Sequence, residues 1–286
     1  MSSGSDERRR AKIQRPGNHA DLERQAAQWE EQVLPSWEQP LVPALVQATP
    51  LPATGSVLIA EARTGLAVEQ VAQIVPPDVR CVAIDPSREM LDLARAKRQL
   101  GDRRVFWDAR GVDKLPYQRG VFDAAICAHG VATKEELQRV GAELARVTRP
   151  GGSVGLLVPL SGCFSVFYDL FREGLARQDK PHLEANLDAL MDELFDVESL
   201  RFGLSEVGLR EAQIHPTRFA VPFASGESFL LSPLVGAVFL PRWFQLCPQE
   251  DVREATFSYV IHALDTYYHG LPMELEAEIA WVIAQA

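Results

Sequence analysis

"VLIAEARTGLA", residues 57–67, decides the fold. Four apolar residues run into a short turn holding Thr64-Gly65, and a new apolar pattern begins behind it, so the stretch is a strand turning directly into a helix. VLIA (57–60) is the first strand of an alternating series. After the turn Leu66, Ala67, Val71, Ile74 and Val75 fall near one helical face, and Pro76-Pro77 stops the helix.

The same unit recurs along the chain. RCVAID (80–85) is a second strand ending on an acid. PSREMLDLARAKRQL (86–100) is a helix with Pro86 at its start, Met90, Leu91 and Ala94 facing inward, basic residues toward its end and Gly101 as its stop. RVFWDAR (104–110) and FDAAICAHGV (122–131) are the third and fourth strands. Thr133 with Glu136 forms a capping box, and Leu137, Val140, Leu144 and Val147 follow at helical spacing until Arg149-Pro150-Gly151-Gly152. SVGLLVPL (153–160) is the fifth strand. Strands alternating with helices in this way specify an α/β fold with a doubly wound, mainly parallel sheet. Residues 161–200 read as helices over the sheet's C-terminal edge, where such folds bind ligands. LREAQIHPTRFAVPF (209–223) reads as a closing pair of strands. The organisation expected is a disordered basic tail (1–20), an N-terminal helical cap (21–50), a core (51–223) and a C-terminal helical extension (224–286).

Composition removes several function classes. Lysine and arginine number 29 against 39 aspartates and glutamates, a net charge of −10, which disfavours nucleic acid and anionic membrane as partners. The four cysteines, Cys81, Cys127, Cys163 and Cys247, include no CxxC pair, so neither a zinc ribbon nor a redox motif is expected. No run of about 20 apolar residues is present to span a membrane. The basic N-terminus has no apolar segment behind it, and a cytoplasmic location is expected.

Three pieces, "AIDPSREMLDLARAK", "DARGVDKLPYQRGVFDAAICAHGV" and "ELARVTRPGGSVGLLVP", resemble the class I S-adenosylmethionine-dependent methyltransferases, in the family's order. The resemblance is strongest to the small-molecule branch that includes ubiquinone and menaquinone biosynthesis. It implies a Rossmann-like methyltransferase fold with a seven-stranded sheet, the stretch WEEQVLPSWEQPLVPAL serving as its N-terminal cap. Asp85 then matches the acid that accepts hydrogen bonds from the ribose hydroxyls, a role compatible with capping the helix behind Pro86. Asp108 with Ala109 matches the adenine-binding position, with a plain surface aspartate as the competing reading. Met90 matches an apolar contact to adenine, or is simply core.

The opening stretch departs from the family. Its first loop reads acid-x-Gly-x-Gly-x-Gly, and aligning Thr64-Gly65 puts Ile59 at the acid, Glu61 at the first glycine and Arg63 at the second, so only Gly65 survives. Those glycines let the backbone turn sharply and bring the cofactor's methionine end into contact, where a side chain would collide. Glu61 and Arg63 are therefore expected to block the loop. The competing outcomes are that they pair with each other, or that Arg63 holds the cofactor's carboxylate.

Catalytic candidates are few. His129, at the end of the fourth strand, stands where the family places substrate-facing residues and is either a general base or a structural histidine. Cys127 is expected to pack as a small apolar residue. Tyr168 and the Tyr267-Tyr268-His269 cluster line a pocket or belong to core or interface. SFLLSPLVGAVFL (228–240) is either substrate cover or oligomer surface. No metal site is expected.

Two functions follow. In the first, the protein has lost S-adenosylmethionine, needs no cofactor, and acts as a noncatalytic scaffold, regulator or subunit bound to another protein or to itself. In the second, it is an active S-adenosylmethionine-dependent methyltransferase on a small, fairly apolar molecule.

Overall fold

A computed structural model describes residues 19–97, 103–269 and 271–286. The basic cluster of the tail and the helix stop at Gly101 lie outside the described residues. Seven strands form one sheet in the order β3-β2-β1-β4-β5-β7-β6. The first five are β1 (Ser56–Ala60), β2 (Arg80–Asp85), β3 (Val105–Ala109), β4 (Phe122–Cys127) and β5 (Thr148–Pro159), all parallel to their neighbours among these five. Residues 57–60 are all buried, as their unbroken apolar character requires. Helix α1 (Leu66–Ile74) follows β1 and α2 (Arg88–Lys97) follows β2, while residues 134–147 form one helical stretch between β4 and β5, capped by the Thr133 hydroxyl accepting from the Glu136 amide.

The C-terminal third corrects the sequence reading. Residues 210–223 are not a pair of strands but one long strand, β6 (Arg210–Phe223), and its partner is β7 (Met273–Gln285), from the segment expected to be helical. β7 runs antiparallel to both β5 and β6. The physical reason is visible in MELEAEIAWVIAQ: its first half alternates buried and exposed residues, and its second half is apolar throughout because it is sandwiched inside the sheet. Alanine, glutamate and leucine are good helix formers, and the tertiary pairing overrides that propensity. β6 is an edge strand, and Pro216 and Pro222, six residues apart and so at the same phase of the ladder, remove two amide donors from it.

One face of the sheet carries α1, α2, the cap and the C-terminal cover. The cover comprises Ser165–Arg177, Glu184–Glu193, Gly226–Leu230, Pro233–Val238, Leu240–Leu246 and Glu250–Tyr267. Its centre is aromatic: Phe167 stacks on Trp243 with centroids 3.6 Å apart, and Phe164, Phe229 and Phe239 pack around them. Burial of Phe229, Leu230, Leu234, Val235 and Phe239 assigns most of the 228–240 stretch to this cover. On the other face residues 134–147 and the helix Val197–Glu206 pack on Leu58, Ile126's neighbours Ala125 and Cys127, and Leu156. Among the described residues no single helix is long and apolar enough to cross a membrane.

The cap has an unusual middle. Between the α-helices His19–Gln28 and Gln39–Ala48, residues Trp29–Glu38 wind as a π-helix around the internal Pro35. Proline removes an amide donor from the ladder, and the wider winding accommodates the loss. In an α-helix nine residues make about two and a half turns, which would put Trp29 and Glu38 on opposite faces. Here both are buried, and the indole Nε1 of Trp29 donates to Glu38 Oε1 at 2.8 Å.

Candidate functional site: a charged cluster at the head of the cleft

The loop between β1 and α1 keeps the backbone of a glycine-rich turn without its glycines. Glu61 and Arg63 sit at φ 52° and 48°, in the left-handed region, and Gly65 at φ 95°. Each non-glycine residue there costs on the order of 1–2 kcal/mol, so the surrounding structure must hold the turn. The Ala62 amide donates to the Ile84 carbonyl and the Arg63 amide to Asp85 Oδ2, each at 2.9 Å, tying the loop to the end of β2. Gly65 has a second reason to be glycine, because a Cβ there would stand 2.9 Å from the Ala94 Cβ on α2.

The two new side chains fold into the cleft. Arg63 Nη2 lies 3.2 Å from Glu61 Oε2 and its Nη1 4.0 Å from Asp85 Oδ2, while the guanidinium stacks 5.0 Å above the Trp29 ring. Glu61 packs on Gly130, where an added Cβ would come within 3.1 Å of the glutamate Cγ. Burial pushes the Glu61 carboxyl above its ordinary range, and the nearby Asp85 charge adds to this against the pull of Arg63. Asp85 has no exposed surface, and its two oxygens accept from the Arg63 and Ser87 amides at 2.9 and 2.8 Å. The cap of α2 expected at Asp85 falls on Ser87, whose hydroxyl accepts from the Met90 amide at 3.2 Å, while Asp85 holds the Ser87 amide ahead of the helix.

His129 joins this cluster. It is buried at the end of β4, its Nε2 3.0 Å from Glu38 Oε1, with the Trp29 ring edge-on at 5.3 Å. Burial alone would raise the Glu38 carboxyl; the hydrogen bond and charge of His129, the Trp29 donor and Arg63 outweigh it and hold Glu38 below the usual carboxylate range. Glu38 and Trp29 were not singled out in the sequence. The signal was an acid inside an otherwise apolar helical face, legible only if the winding is known to be wider than α.

The remaining candidates are less engaged. Asp108 ends β3 beside β2, with its side chain 38% exposed and paired to Arg110 at 2.8 Å, and Ala109 is exposed next to it. Met90 is buried in the core on α2. The Cys127 thiol donates to the His129 carbonyl, and burial pushes its pKa up strongly, which leaves it a packing residue. Tyr168 is buried under the cover, its hydroxyl pushed up to about 12 by burial. Tyr267, 79% exposed, and Tyr268, bonded to the Glu274 carbonyl, belong to the turn before β7 rather than to a pocket. Among the described residues no three His, Cys, Asp or Glu side chains gather as metal ligands.

Beside the loop the Glu61 and Arg63 side chains pair with each other, and both oxygens of Asp85 are engaged by backbone amides. The arrangement is also imperfect: of the three buried side-chain polar atoms without a partner among the described residues, two, Arg63 Nε and Thr64 Oγ1, belong to consecutive residues of this loop. Such atoms cost about 1–3 kcal/mol each. Beneath the cover a cavity of about 70 Å³ touches Trp37, Arg63, His129, Glu136 and Arg242. That is room for a few waters, well below the roughly 300–1,000 Å³ of ligand sites.

Comparison with known proteins places this geometry. Residues 57–152 match the family model of a methyltransferase domain. A demethylmenaquinone methyltransferase of Deinococcus radiodurans is 35% identical over 98 residues, 33% of this chain and 41% of that protein. A ubiquinone/menaquinone biosynthesis C-methyltransferase of a Geobacter species is 30% identical over 121 residues, 41% of this chain and 51% of that protein. The chain thus spans about half the length, or less, of the curated relatives it matches. Among solved structures, the YcgJ protein of Bacillus subtilis superposes with a TM-score of 0.53 at 16% identity, covering 85% of this chain and 97% of its own. A chain of the Haloferax volcanii complex between the Trm112 methyltransferase activator and a methyltransferase gives 0.53 at 14% identity, covering 93% and 97%. At these identities the structures share the fold.

Proposed function

We propose, for a protein whose residues 57–152 belong to the class I methyltransferase family, that the fold is kept while the methionine end of the cofactor cleft is filled by its own side chains, and that the protein works without S-adenosylmethionine, as a noncatalytic partner or regulatory subunit of another protein. One observation carries this reading: the Arg63 guanidinium is enclosed between the Glu61 and Asp85 carboxylates and the Trp29 ring. Displacing it would strand buried carboxylates, which is strongly unfavourable.

A second reading has its own support. The relatives are named as demethylmenaquinone and ubiquinone/menaquinone C-methyltransferases, and the adenosine side of the cleft keeps Asp85 with Asp108-Ala109 on neighbouring strands. On that reading the protein transfers a methyl group from S-adenosylmethionine to a small apolar acceptor, His129 serves as base, and Arg63 turns to hold the cofactor's carboxylate. The cofactor would supply an already activated methyl donor, leaving the protein to orient and desolvate.

Calorimetric titration of the purified protein with S-adenosylmethionine and S-adenosylhomocysteine separates the two. The filled cleft gives no binding at millimolar ligand. A micromolar dissociation constant establishes the second reading, and methyl transfer to demethylated quinones becomes the next assay.

A further inference from the structure

Arg63 and Glu61 are not held by the methyltransferase core alone. One contact to the pair, the Trp29 ring on Arg63, comes from a segment of the cap, residues 29–38, which also grips the neighbouring His129. Trp29 lies under the guanidinium at 5.0 Å and edge-on to His129 at 5.3 Å, and Glu38 binds both the Trp29 indole at 2.8 Å and His129 Nε2 at 3.0 Å. The Glu38 and His129 side chains are each only 3% exposed, so the pair is sealed from water. The segment thereby reaches the loop after β1 through Arg63 and the end of β4 through His129.

The segment is built differently from its surroundings. It is π-helical, contains Pro35, and lies between two ordinary α-helices. Its winding is what turns Trp29 and Glu38 toward the same neighbours. A π-helical turn within an α-helix is less favourable than α-helix and is kept where it positions side chains. Rewinding it to α would rotate Glu38 away from His129 without breaking the flanking helices.

From this we propose that residues 29–38 are a latch on the cleft, with Glu38 as its catch. The state of this segment, not movement of the sheet, sets whether the Glu61–Arg63 pair stays seated. The proposal rests on the reading that this pair fills the methionine end. It goes beyond that reading by naming the element that controls the filling.

Amide hydrogen exchange tests it without any ligand. In Glu38→Gln, which keeps shape and loses charge, and in Trp29→Phe, which keeps an aromatic face, though a smaller one, and loses the N–H donor, amides of residues 60–66 and 127–131 should exchange at least tenfold faster than in the parent. Those of β5, residues 148–159, should exchange at the parental rate. Wild-type rates at 60–66 in both variants overturn the latch, and so does acceleration that appears equally in β5, since that is global loosening. The two readings fail separately. Micromolar binding of S-adenosylmethionine by the parent removes the filled cleft, whereas unchanged exchange removes the latch and leaves the filled cleft standing.

Discussion

The two ends of the proposed cofactor cleft contrast. At one, Asp85 and the Asp108-Ala109 pair stand at the tips of adjacent strands. At the other, Glu61 and Arg63 are held at positive φ. The difference separates two duties of a glycine that are normally indistinguishable. The left-handed turn is demanded by the route from β1 into α1, so it persists at a conformational cost when the glycines are lost. The empty space beside a glycine is needed only by a ligand, and on the proposed reading the Glu61 and Arg63 side chains have taken it. Gly65 shows the converse, because packing against Ala94 excludes any side chain there.

The sharpest way to break this contrast is to restore the empty space. Glu61→Gly combined with Arg63→Gly should lower the dissociation constant for S-adenosylhomocysteine at least a hundredfold from the parent's, measured calorimetrically. No gain would mean that the adenosine end is vestigial too. Next in size, Glu38→Ala should cost about 3 kcal/mol in urea unfolding, because it leaves His129 and the Trp29 donor buried without a partner. A loss under about 1 kcal/mol would show that the cluster is held by the loop alone.

Acid titration sharpens the comparison within the cluster, since its two glutamates depart from the ordinary carboxylate range in opposite directions. Glu38 is lowered on folding, so the stability it contributes is present above pH about 4.5 and is lost as pH falls through its folded value. Glu61 is raised, so its ionisation costs stability as pH climbs from about 4.5 through its folded value. Unfolding midpoints against pH should therefore show Glu38→Gln less acid-sensitive than the parent, and Glu61→Gln more stable than the parent at neutral pH. Parallel profiles for all three proteins would contradict the assignment. The smallest effect belongs to the adenosine end: Asp108→Asn should change stability by less than about 0.5 kcal/mol, since its pair with Arg110 is over a third exposed.

The parallel half of the sheet was legible because each strand is an apolar run bounded by turn residues, and the loop's departure from the family stood out by residue type alone. What could not be read was where the new side chains would go. Their partners Trp29 and Glu38 come from a segment whose winding no helical periodicity describes, and Glu38 meets His129 across 91 positions of sequence. β7 escaped for a different reason. Its composition favours helix, and only the neighbours on both sides make it a strand.

The placement of β7 also governs the order in which the molecule can be assembled. β6 has its only sheet partner in a strand that begins about fifty residues later. At about 5–20 residues per second a nascent chain would carry β6 for roughly 2.5–10 s before that partner exists. During that interval the first five strands can already pair with one another, while β6 waits beside an open edge of β5. Completion of the sheet then requires β7 to enter between β5 and β6, antiparallel to both.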